Sequence, residues 1–203
     1  MKTILRTALA AAVALGCVST HAELVKFRMK GTVNYSNGSM ADVPVGTPVI
    51  GEFTYDTSTQ PDYAQDYDDY DVADYTIGRK YSFKLRFGGH LLKATAQRAQ
   101  VTDGVRDLQL DVFDFGSTPG ARLDGDLCEG CYFGLTLVAS PDHADALGSV
   151  ALPSSLNLKR FDRERYGYVI TNSAEGYALQ FSVDSIKSAP CLNGTNPRTA
   201  CDN

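Results

Sequence analysis

The most distinctive chemistry in the sequence is a run of aspartates between positions 62 and 74. The run contains no lysine or arginine, and its acidic members are Asp62, Asp66, Asp68, Asp69, Asp71 and Asp74. Carboxylate oxygens are preferred ligands of Ca²⁺, which takes about six to eight oxygen atoms. The spacing departs from the EF-hand loop, because Tyr70 stands where a third Asp or Asn is needed and the turn glycine is missing. Two interpretations follow: a loop ordered by Ca²⁺, the candidate ion, or a solvated acidic loop without metal.

Three tyrosines are interleaved with these aspartates and support a third interpretation of the same segment. They are Tyr63, Tyr67 and Tyr70. Tyrosines in loops provide large contact areas at a low cost in conformational entropy. We therefore predict that the segment is a binding patch for an extracellular or envelope protein, or for a polysaccharide surface.

Four of the five cysteines lie in the second half of the chain: Cys128, Cys131, Cys191 and Cys201. An even number of cysteines in an exported chain predicts disulfides, and three pairings are possible. We expect Cys128 to pair with Cys131 and Cys191 with Cys201, because short loops close most readily. The C-x-x-C spacing also occurs in redox proteins, but their reactive cysteine lies at a helix N-terminus, and here a strand is predicted. A zinc site is disfavoured because the second pair does not repeat the short spacing.

The sequence carries no motif of nucleophilic or zinc-dependent hydrolysis, since neither G-x-S-x-G nor H-E-x-x-H occurs. Ser140, Asp142 and His143 lie close together, but a catalytic triad is defined by geometry and not by adjacency. Pro141 after Ser140 predicts a capped helical turn at this place. We predict no catalytic site. A hydrolase that acts through two carboxylates is the alternative, because a glycosidase needs only two well-placed acids.

Residues 1–22 have the three parts of a secretory signal peptide. Lys2 and Arg6 supply the positive end, residues 9–16 form an apolar stretch too short to span a bilayer, and Ala22 is a small residue before the cleavage site. In the alternative, cleavage before Cys17 leaves a lipid-anchored protein. We expect a secreted or periplasmic protein.

The charge balance argues against nucleic acid as a partner. Removal of Lys2 and Arg6 changes the formal net charge from −5 to −7 (−5 minus +2), whereas phosphates are bound by an excess of Lys and Arg. No later segment is apolar for long enough to form a membrane-spanning helix. A positive stripe is expected if two predicted strands are neighbours, and its members would be Lys26, Arg28, Lys30, Lys80, Lys84 and Arg86. The simpler alternative is ordinary surface charge.

Alternation of apolar and polar residues dominates the remainder of the chain. Phe83, Leu85 and Phe87 alternate with Lys84 and Arg86, and the same pattern recurs over 25–35, 49–55, 108–112, 133–137, 166–170 and 177–183. A period of two is typical of a strand with one face on a core. The sequence predicts one all-β domain over 23–187, an antiparallel β-sandwich that is jelly-roll-like or Ig-like. A polar tail with a cysteine pair follows over 188–203.

The segment Val43–Asp56, with the sequence V-P-V-G-T-P-V-I-G-E-F-T-Y-D, resembles a strand of exported bacterial β-proteins of the PEP-CTERM type. The preceding Gly31-Thr32-Val33 and the closing segment Leu179–Ile186 are similar to strands of the same proteins. The resemblance implies an extracytoplasmic β-sandwich with a surface or matrix role, and it supplies no catalytic residue. The Pro-Glu-Pro motif, apolar helix and basic cluster of that family do not occur here. We therefore expect a non-catalytic binding or structural protein.

Overall fold

The computed structural model describes residues 24–67, 70–78, 83–94, 97–105, 110–117, 121–171 and 176–190. Within these residues the regular structure consists of strands and two short 3₁₀ turns, Gly38–Met40 and Pro141–His143. The strands are β1 (Leu24–Ser36), β2 (Pro48–Asp56), β3 (Tyr63–Asp66), β4 (Asp71–Ile77), β5 (Phe83–Phe87), β6 (His90–Ala94), β7 (Gln97–Val105), β8 (Leu110–Ser117), β9 (Ala121–Leu123), β10 (Asp126–Cys128), β11 (Tyr132–Val138), β12 (Glu164–Ile170) and β13 (Leu179–Pro190). The predicted all-β class is confirmed.

The described strands form one continuous antiparallel sheet. Its order is β10-β9-β6-β5-β2-β1-β13-β12-β11-β8-β7-β4-β3, so the first and last strands of the chain are neighbours. We call β10, β9, β6, β5, β2 and β1 the first half of the sheet, and β12, β11, β8, β7, β4 and β3 the second half. The chain adds strands to the two halves in alternation, and β13 joins them. The jelly-roll-like or Ig-like sandwich type stays a prediction.

The sheet curls so that the inner faces of its two halves pack against each other. Phe53 of β2 stacks on Phe115 of β8 with ring centroids 4.2 Å apart, and Phe83 of β5 stacks on Phe133 of β11 at 4.0 Å. In both pairs the two strands are separated by four others in the sheet order. Such contacts require a folded-over sheet, and they place one hydrophobic core between the halves.

The alternating pattern places the predicted apolar positions in this core. Phe27, Phe53, Leu85 and Phe181 are fully buried, because side chains of every second strand residue point to the same face. Gly31 marks the bend between β1 and β13, where a register shift separates it from Lys30. A Cβ at Gly31 would lie 1.9 Å from the carbonyl oxygen of Ser182, so only glycine allows this close approach of the backbones.

In two strands, the residues that point into the core are not those that the alternating pattern predicted. On β12 the inward residues are Gly167 and Val169, whereas Tyr166 and Tyr168 lie on the outer face and are half-buried. On β8 Asp111 is completely buried, although the pattern gave it a polar, outward position. Its two carboxylate oxygens accept hydrogen bonds from the backbone N–H groups of Gly104 and Leu147, at 3.0 and 2.7 Å, which compensates its burial.

Candidate functional site

The predicted Asp/Tyr segment forms the edge hairpin of the second half, made of β3 and β4. Asp66 lies opposite Asp71 across the hairpin, and Tyr63 lies opposite Asp74. Because Asp71 and Asp74 are three residues apart on one strand, they project to opposite faces. Asp62 lies just before β3 and accepts a hydrogen bond from the Thr76 backbone N–H at 2.5 Å.

The described aspartates of this segment therefore do not converge on one point. Asp74 accepts a hydrogen bond from Gln100 Nε2 at 2.8 Å, while Asp66 and Asp71 lie at the far end of the hairpin. Among the residues that the structure describes, no group of three or more His, Cys, Asp or Glu side chains could hold a metal ion. Asp68 and Asp69 lie outside the described residues, and the calcium site stays a prediction.

The three tyrosines of the hairpin contact one another. The Tyr63 and Tyr67 hydroxyls are 3.0 Å apart, and Tyr67 stacks on Tyr70 with ring centroids separated by 4.7 Å. Tyr63 is 45% exposed and also donates a hydrogen bond to Gln65. The hairpin thus presents a small aromatic cluster at the edge of the sheet.

A cavity of about 330 Å³ lies beside this hairpin on the outer face of the second half. Phe115 and Leu135 point into the core, so their neighbours on β8 and β11 point outward into the cavity. The strand register places a polar row across five strands, from β4 to β12: Asp74, Gln100, Asp114, Thr136 and Tyr166. Directly paired residues share a face, so the register brings these side chains together.

A second row beside the polar row combines small and large residues. Arg98 lies opposite Gly116, Gly116 opposite Gly134, and Gly134 opposite Tyr168. A Cβ at Gly134 would lie 2.2 Å from the Tyr168 ring, so the ring lies directly over the glycine. Aromatic rings commonly cover glycines in sheets in this way. The two glycines leave a trough along which tyrosine rings can lie flat.

Tyrosines form one wall of the cavity. The ring centroids of Tyr132 and Tyr168 are 5.8 Å apart, those of Tyr166 and Tyr168 6.2 Å, and those of Tyr168 and Tyr177 4.9 Å. Arg98 lies over the Tyr132 ring at 5.8 Å from its centroid, within the range of a cation–π contact. We call the cavity with these tyrosines and the polar row the tyrosine groove.

Ionisable side chains of the tyrosine groove are partly buried, and this changes their pKa values. Burial raises the pKa of the Asp114 carboxyl, while a 2.6 Å hydrogen bond from Thr136 Oγ1 and the positive charge of Arg98 act in the opposite direction. Burial also raises the pKa of Tyr168 well above that of a free tyrosine, so its hydroxyl stays protonated and able to donate. The groove therefore offers one cation, carboxylates and neutral hydroxyl groups.

Other predicted positions have structural roles. Cys128 and Cys131 form a disulfide with their Cα atoms 5.2 Å apart, as expected, while Cys191 and Cys201 lie outside the described residues. The predicted helical turn is present as Pro141–His143, but Ser140 does not cap it through its side chain as predicted. The Ser140 hydroxyl donates instead to Asp162 Oδ2 at 3.0 Å.

A second polar cluster joins three turns of the first half. His90 Nδ1 lies 2.7 Å from Asp124 Oδ2, and His90 Nε2 lies 3.1 Å from Asp42 Oδ2. Asp124 has a positive φ of 54° and also accepts a hydrogen bond from the Leu91 backbone N–H. The hydrogen bond to Asp124 is the main cause that raises the pKa of His90, and the same bond lowers the pKa of Asp124.

Protonated His90 should stabilise the protein at mildly acidic pH. Because its pKa is raised in the folded state, this stabilisation is complete below the pKa of an unfolded histidine, about 6.5, and disappears as the pH rises through the raised value. The lowered pKa of Asp124 sets the acid limit of the same window. In urea unfolding at a series of pH values, wild type should lose stability above neutral pH, whereas His90→Gln should lose less. The control His143→Gln should lose as much stability as wild type. A loss in His90→Gln as large as in this control would contradict the role of His90.

The tyrosine groove was not found by sequence reasoning. The tyrosines of β12 were recognised as one strand face, but Arg98, Asp114 and Tyr132 were not linked to them. A usable signal was present: Gly116 and Gly134 interrupt two strand patterns, and glycine within a strand marks a close approach, here of Tyr132 and Tyr168. The link among five strands depends on register, which one sequence does not specify.

No protein-family model matches the chain, and searches of curated proteins and of solved structures also found no match. In the part of the chain that the structure describes, no helix is both long and apolar enough to cross a membrane. The function is therefore inferred from the tyrosine groove itself.

Proposed function

We propose that this protein is a non-catalytic binding protein that acts outside the cytoplasm and holds a neutral polysaccharide in the tyrosine groove. One observation carries the proposal: a wall of tyrosine rings faces a row of polar side chains in a single cavity on an open sheet face. A volume of about 330 Å³ is within the range of small-ligand sites.

The chemistry of the groove matches that of a sugar ring. A pyranose has apolar C–H faces, which pack on aromatic rings, and a rim of hydroxyl groups, which need donors and acceptors. Tyr132, Tyr166 and Tyr168 supply rings with a polar end. Arg98 and Gln100 supply donors, and Asp114 supplies an acceptor at the floor.

The charge of the groove favours an uncharged ligand. Asp74 and Asp114 both line the cavity with Arg98, so an acidic sugar would meet two carboxylates. The face that carries the groove continues to the sheet edge, since Tyr63 of β3 lies opposite Asp74 of β4. From β12 to β3 this face spans five strand spacings, about 24 Å. Such a length suits several consecutive sugar units.

Secretion, the two-layer sandwich and the relationship to PEP-CTERM-type proteins remain parts of this proposal. The signal-like N-terminus supports export. The stacking of Phe53 on Phe115 and of Phe83 on Phe133 supports two layers that pack face to face. A binding surface with tyrosines is consistent with the surface or matrix role that the resemblance implies.

The test is a titration with neutral hexasaccharides of glucose, xylose, mannose and galactose, followed by calorimetry. We expect one of these series to bind, and Asp114→Asn or Arg98→Ala to weaken binding about tenfold through loss of a hydrogen bond to a charged group. Matched controls are Asp142→Asn and Arg163→Ala, which alter exposed residues away from the groove. Absence of binding across the panel, or equal losses in the controls, would refute the proposal.

A hydrolase that acts on the same polysaccharide is the second candidate, and Asp114 favours it. Burial raises the pKa of Asp114, as a general acid requires, and Asp74 lies in the same cavity two strands away. In this alternative Asp114 would protonate the leaving oxygen and Asp74 would activate water. Release of reducing ends from the bound hexasaccharide, abolished in Asp114→Asn, would establish the hydrolase. Binding without release supports the non-catalytic protein.

A further inference from the structure

A row of basic side chains crosses the outer face of the first half and of β13. The paired positions from β13 to β9 are Lys187, Arg28, Glu52, Lys84, Lys93 and Arg122. Because directly paired residues of antiparallel strands share a face, all of these side chains project outward together. The ion pair between Arg28 Nε and Glu52 Oε1, at 3.0 Å, is consistent with this placement. We call this set the basic row.

Further cations flank the basic row on the same face. Lys26 and Lys30 lie two residues to either side of Arg28, and Arg86 lies two residues from Lys84, so each shares the face of its neighbour. The two strands of the predicted stripe are not neighbours, because β2 lies between β1 and β5, and their described cations belong to a larger surface instead. Lys80, its remaining member, lies outside the described residues. We call the row with Lys26, Lys30 and Arg86 the basic face.

The basic row places like charges directly opposite one another. Lys84 faces Lys93, and Lys93 faces Arg122, on three consecutive strands. Like charges in this position destabilise a sheet. Of these strands, β5 and β6 lie inside the sheet, so protection of an exposed edge does not explain their charges. Within the described residues, Glu52 is the acidic side chain in the row, and it pairs with Lys26 and Arg28. An external anion would relieve the repulsion among the others.

We propose that the basic face binds a linear acidic polysaccharide that carries a carboxylate on its sugar units and lies along the basic row. The row places one charge on each successive strand, about 4.8 Å apart, with Glu52 as its single interruption in the described residues. It extends over six strands, about 24 Å. Arg28, whose side chain is 60% exposed, and Arg122 offer planar donor pairs that match a carboxylate.

The shape of the face favours a flexible chain over a bilayer. The sheet curls around its core, so the outer face is convex and a flat membrane would reach only part of the row. Single-stranded nucleic acid is bound through stacking of bases on aromatic rings in addition to positive charge. The members of the basic face include no aromatic side chain, and Tyr35, the exposed tyrosine of β1, lies seven residues from Arg28, opposite Gln180. The tyrosines are concentrated instead on the second half.

The experiment measures binding of full-length protein to polygalacturonate by affinity electrophoresis, with dextran as the uncharged polymer. At about 50 mM salt we expect retardation by polygalacturonate alone, which weakens steeply as salt rises. Lys84→Gln/Lys93→Gln should weaken binding about tenfold and reduce the slope of log K against log salt by about two. The matched control Lys159→Gln/Arg163→Gln removes the same charge from exposed positions elsewhere and should change binding less than about twofold.

One further variant and two further anionic ligands distinguish this proposal from the proposed function and from binding of a nucleic acid or a membrane. Asp114→Asn should leave polygalacturonate binding unchanged, because the groove lies on the other half of the sheet. Oligo(dT) tests whether the basic face binds the phosphates of a nucleic acid. Vesicles of phosphatidylglycerol and phosphatidylcholine test whether it binds the phosphates of a lipid surface. No retardation by polygalacturonate would overturn the proposal. So would equal losses in both double variants, or tighter binding to oligo(dT) or to the vesicles.

Discussion

Replacement of Phe53 by alanine should lower the free energy of unfolding by about 4 kcal/mol, the typical cost of removing a buried phenylalanine. Phe53 is fully buried and stacks on Phe27 at 4.9 Å and on Phe115 at 4.2 Å. It therefore contacts its own half of the sheet and the facing half at once. Its loss leaves a cavity at the contact between the halves, where neither half can move inward without breaking strand pairing.

Urea unfolding monitored by circular dichroism measures this effect. Ile50, three residues earlier on β2, is 49% exposed on the outer face, and Ile50→Ala should cost less than about 1 kcal/mol because little area is removed from the core. If Phe53→Ala does not fold, Phe53→Leu gives a smaller loss at the same place. A cost for Phe53→Ala no larger than that of Ile50→Ala would mean that the halves do not pack through this ring.

The second large effect is expected at Asp111. Asp111→Ala should lower the free energy of unfolding by about 3 kcal/mol, because the partly buried N–H group of Gly104 and the buried N–H group of Leu147 both lose their acceptor. These bonds fasten β7 and the segment after the Pro141–His143 turn to β8. Gly104 lies at the irregularity of β7, where the pairing with β8 shifts register between Thr102 and Val105, and Leu147 lies outside the strands, so the carboxylate accepts N–H groups that strand pairing leaves over.

Two further variants separate the acceptor role from simple packing. Asp111→Asn retains one acceptor oxygen and should lose roughly half as much stability as Asp111→Ala. The exposed Asp142→Ala should stay within about 0.5 kcal/mol of wild type. Chemical denaturation of the three variants side by side provides the comparison. An Asp111→Asn variant as stable as wild type would show that the backbone N–H groups find other partners.

The alternating pattern of the sequence was sufficient to place most of the core. Apolar and polar residues alternate clearly in the strands that contain Phe27, Phe53, Phe83 and Phe181. Only one face of each of these strands could therefore be buried. The pattern failed at β12 because tyrosine is both apolar and polar, and Tyr166 and Tyr168 suit either face. There the small residue Gly167 decides the phase, since the Phe181 ring occupies the space over it.

The candidate sites depended on information that one sequence does not contain. The basic row and the tyrosine groove each combine one or two residues from every strand they cross, and the order of those strands is far from the order in the chain. Asp111 was misplaced for a related reason, because its partners Gly104 and Leu147 are backbone groups that leave no side-chain signal. The Cys128–Cys131 pairing was predictable because a three-residue separation makes it a local event.

The position of β13 between β1 and β12 has a consequence for how this protein is made. Val33 and Phe181 are partners although roughly 150 residues separate them, so β1 can pair with β13 only after all the strands between them have been synthesised. Until then β1 and β12 are edge strands with unpaired backbone N–H and C=O groups, and the apolar face beside them is exposed. These conditions promote aggregation. Pairing between residues so far apart in the chain is slow, so closure of the sheet by β13 is expected to be a late step of folding.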